Sequence, residues 1–299
     1  MHAPAPARFS TASLVRFGLV TLIWGSTWLI IRTQLTVPVS WSVTWRFLAA
    51  GAVMFALCLA TGRTLRLGWR GHGFALAMAV FQFCLNFNLV YRAEQHLTSG
   101  LVALAFALLI VPNAFLSWLF LGQRISGGFA LGSGIGIAGI ALLFARDLLA
   151  PGAGGEVALG MVLALAGVFS ASIGNVLQAS PAGRAQPLEG GLAWAMLYGG
   201  LLNAAVALAV AGPPQFDWSF SYVAGLGWLA VVASAGAFSL YYALIRDIGA
   251  GKAAYTGVVI PFVAMALSTV FEGYLWSPQA VAGALLAGVG LVIALRSRG

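Results

Sequence analysis

The chain has 299 residues, 61% of them hydrophobic and only 7% charged, with a mean hydropathy of +0.96. A soluble domain carries about 25% charged residues, so this chain has more apolar surface than a water-soluble core can bury, and a lipid bilayer is the solvent that fits it. Its formal net charge of +8 is scattered over short segments with no basic soluble face, which excludes a nucleic-acid-binding surface.

About 20 apolar residues cross a bilayer as a helix. Runs of that kind fall at 14–32, 41–61, 73–91, 98–121, 127–145, 158–179, 190–211, 222–244, 252–271 and 279–295. The reading is an all-α integral membrane protein with ten transmembrane helices. Trp24 and Arg32 interrupt the pattern of a signal peptide and no small-residue cleavage site follows, so the first run is expected to be retained. The longest connection, Arg146 to Val157, leaves no room for a soluble domain.

Lys and Arg gather in cytoplasmic loops. With the N-terminus inside, the inner segments hold Arg8, Arg16, Arg63, Arg66, Arg70, Arg124, Arg184, Arg246, Lys252, Arg296 and Arg298, and the outer ones only Arg32, Arg92 and Arg146. Both termini are therefore expected in the cytoplasm. Arginine-rich, lysine-poor usage fits a GC-rich bacterium and so the bacterial inner (plasma) membrane. Cys58 and Cys84 fall inside spans and are expected to be free, buried thiols.

Residues 132–145 of the fifth span read GSGIGIAGIALLFA, where Gly134, Gly136 and Gly139 spell the G-x-G-x-x-G of a dinucleotide turn. That motif needs a strand before it, and GGFAL is a poor strand. Glycines four apart, Gly132 and Gly136, instead flatten a helix face for a close neighbour. GAGKAA at 249–254 likewise lacks the flanking Gly and Ser/Thr of a phosphate loop. Neither nucleotide chemistry nor a cofactor is indicated.

The chain also repeats itself. Tyr91, Gly100, Gly132 and Gly139 match Tyr242, Gly251, Gly283 and Gly290, each 151 positions on; Pro112 and Gln123 match Pro261 and Glu272; Gly18 and Gly25 match Gly160 and Gly167. Five spans per copy is an odd number, so the second copy, 148–299, is expected to cross the membrane inverted relative to the first, 1–147. Inverted repeats are a recurring design of secondary transporters, with the substrate between the halves.

Two five-helix repeats, the Trp24-Gly25 pair in the first helix, a Pro in the fourth and ninth helices and glycine-rich fifth and tenth helices resemble the drug/metabolite transporter superfamily with its paired EamA repeats. The aromatic-rich composition and compact ten-helix layout look closest to YddG-like amino-acid exporters. The resemblance implies an exporter of small amphipathic metabolites, amino acids including aromatic ones, with the lipid bilayer as its other partner; a functional monomer is expected, with a dimer left open. The chain departs from the family at Gln123 in LGQRIS, where a Glu is common, and in the FEGYLW context of Glu272.

Polar groups at membrane depth are candidate sites by default. Gln82 and Asn86 share a face of the third helix, with Asn88 and Tyr91 further along; Ser172, Asn175 and Gln178 share a side of the sixth. These amides either line a cavity for a zwitterion or hold helices together. Pro112 and Pro261 each remove a backbone hydrogen bond, and paired interruptions point to a cavity. Trp24, Trp28, Tyr198, Tyr241 and Tyr242 are candidates for an aromatic wall, whereas Trp41, Trp45, Trp118, Trp218 and Trp276 read as interface anchors. Arg46 either snorkels or binds a substrate carboxylate.

Two other classes are weaker. Efflux of hydrophobic cations calls for a buried acid, and Glu94, Asp147, Glu156, Asp217, Glu272, Glu189 and Asp247 all lie at span ends or in loops. The expectation is transport without an intramembrane carboxylate taking up a proton, Glu272 being the nearest exception. An intramembrane enzyme fails because His72 and His96 lie in loops with no acid/base pair at depth; no catalytic or metal-ligating set is expected.

Overall fold

The computed structural model describes residues 10–148, 154–248 and 256–296. Among them every regular element is helical. Helix α1 (Thr11–Ile31) is capped by Ser10, whose hydroxyl accepts from Ser13 N, and passes through a short 3₁₀ turn into α2 (Val39–Ala60). The third span combines α3 (Trp69–Met78), a π-helical segment (Ala79–Leu85) and α4 (Asn86–Ala93). The fourth is α5 (Ser99–Ala107) and α6 (Ile110–Leu121). Then come α7 (Gly127–Leu148), α8 (Gly154–Ala179), the one-turn α9 (Pro181–Arg184) and α10 (Leu188–Ala211). The eighth span joins α11 (Phe220–Gly227), a second π-helical segment (Trp228–Gly236) and α12 (Ala237–Ile248). Helices α13 (Thr256–Phe271) and α14 (Pro278–Arg296) close the bundle.

Eight spans are long and apolar enough to cross a membrane, and Val259–Phe271 and Pro278–Ala294 form two shorter apolar helices. Large apolar side chains such as Leu59, Leu131, Val162, Val210 and Val270 face outward, the distribution a lipid-facing surface requires. The protein is a multi-pass membrane protein. Its passages alternate between two ends. One end gathers the pairs Arg16–Asp247 and Arg63–Glu189; the other gathers Arg32, Glu94, Glu272 and the His96–Glu156 pair.

The glycines of the fifth span do pack helices, with a different partner set from the expected four-residue pair. A Cβ on Gly132 or Gly139 would fall inside 3.0 Å of the α14 backbone at Gly290 and Ala294 or at Gly283 and Ala287. Conversely, a Cβ on Gly283 or Gly290 would strike the α7 backbone at Gly139 and Leu143 or at Gly132 and Gly136. Gly136 itself has only ordinary contacts, at 3.9 Å. The two helices therefore cross backbone against backbone, antiparallel, with glycines seven apart on both sides. A second reciprocal contact joins α2 and α10: a Cβ on Gly51 would lie 3.0 Å from Leu197 N, and one on Gly200 2.8 Å from Leu48 N.

Some sequence expectations change. Trp41 is buried and donates from Nε1 to Gly212 O, so it packs beneath a loop and does not anchor in the interface. Trp118, Trp218 and Trp276 remain exposed. His72 lies within α3, not in a loop. Cys58 and Cys84 are free and buried, as expected.

Candidate functional site

The site is built where the two π-helical segments meet the first helices. A π-turn shifts the hydrogen-bond register and turns carbonyls away from their usual partners, and side chains from other helices take those carbonyls up. Trp24 Nε1 of α1 donates to Ala233 O at 3.1 Å. Ser170 Oγ of α8 donates to Phe81 O at 2.8 Å, and Asn203 Nδ2 of α10 to Phe83 O at 3.0 Å. Neither segment, AVFQFCL or WLAVVASAG, contains Pro or a local motif that announces it.

Arg46 lies at this centre. It is 1% exposed, so it does not snorkel. Its Nε donates to Ser234 Oγ in the second π-segment at 3.1 Å and its NH1 to the Tyr91 hydroxyl at 3.2 Å. The guanidinium lies over the rings of Phe87 and Phe47, 4.5 and 5.5 Å from their centroids. Among the described residues the ion pairs are Arg16–Asp247, Arg32–Glu272, Arg63–Glu189 and His96–Glu156. Arg46 has no carboxylate within ion-pair distance. A buried cation without a counter-charge costs several kcal/mol, on the order of the penalty for any desolvated ion, and is usually the mark of a place meant for an anion.

The remaining candidates divide. Trp24 packs against Phe238 and Tyr241 with ring centroids 5.3 and 5.0 Å apart, and Trp28 against Phe106 at 5.0 Å. Gln82 Oε1, Asn86 Oδ1 and Trp28 Nε1 are buried with no hydrogen-bond partner; the Asn86 amide donates only weakly within its own helix, to Gln82 O at 3.4 Å. Asn88 bonds Asn203 at 2.6 Å and serves as a link between helices. Asn175 reaches Asn113 at a long 3.5 Å. Gln178 lines a pocket with Phe74, Gln186 and Pro187, away from Arg46 and with room for about one water. Tyr198 is also elsewhere: its hydroxyl pairs with His72 Nδ1 at 2.8 Å beside Trp194. The side chain of Tyr242 lies outside the described residues.

The proline interruptions are unequal. Pro112 stands in the first turn of α6, just after the helix break at Leu108–Leu109. The carbonyls there are taken by tight turns, Leu108 N→Ala105 O, Leu109 N→Phe106 O and Val111 N→Leu108 O, so they are not left open to a ligand. Pro261 is buried inside the continuous α13. The matched irregularities are the π-segments of the third and eighth spans, where sequence reasoning had placed none.

Sequence reasoning also missed Glu94. It directly follows α4 and is completely buried. Ser99 Oγ stands 3.3 Å from Glu94 Oε2 and 3.0 Å from Glu272 Oε1, and Arg32 Nε stands 3.3 Å from Glu272 Oε1. Arg32 NH1 donates to the Glu94 main-chain carbonyl at 2.5 Å. Burial pushes the Glu94 carboxyl well above the usual carboxylate range and the Glu272 charge pushes it further, against the pull of Arg32 and Ser99. In the exposed 212–219 loop the opposite holds: the Ser219 backbone N–H lowers Asp217.

Residues 14–145 match the model of the EamA-like transporter family. PagO of Salmonella typhimurium is 32% identical over 111 residues, 37% of this chain and 36% of that protein. An uncharacterized transporter of Buchnera aphidicola is 27% identical over 132 residues, 44% of this chain and 43% of its own length. The alignments thus span well under half of either relative. The uncharacterized transporter YvbV of Bacillus subtilis is 25% identical over 293 residues, 95% of this chain and 89% of that protein. A crystal structure with 20% identity superposes with a TM-score of 0.70 over 96% of this chain and 99% of its own, which shows a shared fold.

Proposed function

We propose that the chain is a secondary transporter that exports amino acids, aromatic ones included, across the bacterial inner membrane, with ten passages arranged as two inverted five-helix repeats and both termini cytoplasmic. The reciprocal contacts support the repeat. The displacement that carries Gly132 and Gly139 onto Gly283 and Gly290 also carries the Gly132–Gly290 contact onto Gly283–Gly139. Another carries Gly51–Leu197 onto Gly200–Leu48. Antiparallel contacts that map onto themselves are what a two-fold axis in the membrane plane produces.

One observation carries the substrate class: Arg46 is buried, hydrogen-bonded by neutral groups and, among the described residues, without a carboxylate partner. A free amino acid supplies that carboxylate, and its ammonium supplies donors for the unpartnered oxygens of Gln82 and Asn86. Trp24, Trp28, Tyr91 and Tyr241 then receive the side chain. Pro112, Asn175, Gln178, Tyr198, Tyr242 and Pro261 remain candidates from the sequence pattern, to be tested after the Arg46 group. Hydrophobic-cation efflux is the competing reading, and a buried arginine at the centre repels such cargo. Counterflow in proteoliposomes with a panel of labelled amino acids tests the proposal. Exchange of zwitterions that is lost for their amides and esters is the expected result; exchange of lipophilic cations alone overturns it.

A further inference from the structure

At the end of the bundle away from Arg16, Arg32 after α1, the α4–α5 corner and the end of α13 bring two carboxylates and one guanidinium together. Glu272 is well supplied with donors: Arg32 Nε, Ser99 N at 3.1 and 3.3 Å to its two oxygens, and Ser99 Oγ. Glu94 is not. Its Oε1 is buried with no partner, and its Oε2 meets only Ser99 Oγ. A serine has a single hydroxyl proton. Once Ser99 gives that proton to Glu272, the Glu94 contact is a hydrogen bond only if Glu94 is itself the donor.

We propose that Glu94 is a proton-binding site and that its proton pins this end of the bundle shut, making the Glu94–Ser99–Glu272 chain the outer gate of the carrier. Protonated, Glu94 Oε2–H donates to Ser99 Oγ, Ser99 donates to Glu272, and Arg32 neutralises Glu272; the cluster carries no net charge. When Glu94 releases its proton to water on that face, no bond other than this O–H breaks. Two carboxylates then share one hydroxyl in a buried space, and their repulsion drives the end of α13 away from the α4–α5 corner.

The surrounding charges leave Glu94 as the responsive group. Arg46 lies further in on α2 and works against proton binding. His96, on the same corner, is paired with Glu156 of α8, and Arg92 is exposed on α4. Burial and the Glu272 charge raise Glu94. The closed form is therefore complete at low pH and is lost as pH climbs through the raised value.

The test is a distance measurement by pulsed electron paramagnetic resonance, with spin labels at the exposed positions Gln95 and Leu275 of a chain carrying Cys58→Ala and Cys84→Ala, in lipid nanodiscs without substrate. A short distance at about pH 5, giving way to a longer population as the pH is raised stepwise to about 9, is the expected result, because burial and the Glu272 charge raise Glu94. Glu94→Gln keeps the donor but cannot release it, so it holds the short distance throughout. Glu272→Gln removes the repulsion and also flattens the response, and serves if Glu94→Gln does not fold. His96→Gln retains it. A wild-type distance unmoved across this range, a full response in Glu94→Gln, or its loss in His96→Gln overturns the proposal. With no amino acid present, failure here leaves the substrate reading untouched.

Discussion

Two buried charge problems stand side by side in this molecule and are solved differently. Around Arg46 there is one cation, neutral donors and acceptors and, among the described residues, no carboxylate in contact. Around Glu94 there are two carboxylates and a single guanidinium in contact. The first region is one negative charge short, the second one positive charge short. A substrate carboxylate, present only part of the time, fits the first; a proton, exchanged with water, fits the second. Centre and gate are thus separable by the kind of ligand that completes each.

The largest expected effect comes from emptying the centre. Arg46→Met should weaken amino-acid binding by roughly ten-fold to a hundred-fold, since bonds to charged groups are worth about 1.5–3 kcal/mol. Its melting temperature should hold or rise because an unpaired buried ion is gone. Scintillation proximity binding beside a thermal melt checks this, and unchanged binding would erase the distinction between the regions. Next, Arg32→Gln takes away the one guanidinium that, among the described residues, is in contact with the carboxyl pair. Losing a nearby positive charge makes a proton harder to remove, so the Gln95–Leu275 distance transition should move to higher pH. An unmoved transition would mean that Arg32 acts by packing alone.

A smaller effect is expected from Asn86→Leu. One neutral hydrogen bond is worth about 0.5–1.5 kcal/mol, so affinity should fall a few-fold while the pH response stays intact. If both change together, centre and gate are one unit. Ser99→Ala has the mildest effect on binding, leaving amino-acid affinity as it was, while costing about 1.5–3 kcal/mol of stability because its hydroxyl bonds a carboxylate; a chemical-denaturant titration reads it.

Much of the fold was legible because composition alone dictates it. Runs of about twenty apolar residues have few alternatives to a membrane helix, and the span edges moved by only a few residues. The glycines of the fifth and tenth spans were legible as packing surfaces, although which of them touch depended on a crossing that spacing cannot give. Arg46 and Trp24 stood out because polarity or bulk at depth is conspicuous in such a chain. The π-segments did not stand out. Their register shift is set by donors from residues far along the chain, such as Trp24 for Ala233 and Asn203 for Phe83. Glu94 was hidden for a similar reason. It follows the span directly, where a carboxylate ordinarily meets water, and Arg32, Ser99 and Glu272 cover it from three other elements.

The crossing of α7 and α14 has a consequence for how the protein is made. Its two glycine faces are separated by about half the described sequence, so α14 leaves the ribosome well after α7. At about 5–20 residues per second, α7 waits roughly seven to thirty seconds in the membrane with its bare backbone groove unfilled. During that interval the groove accepts any small-residue helix that drifts past, including the α7 of a neighbouring nascent chain. Synthesis of α14 is thus the event that lets α7 commit to its proper mate, and a chain cut short before Gly283 exposes a lasting adhesive face to its neighbours.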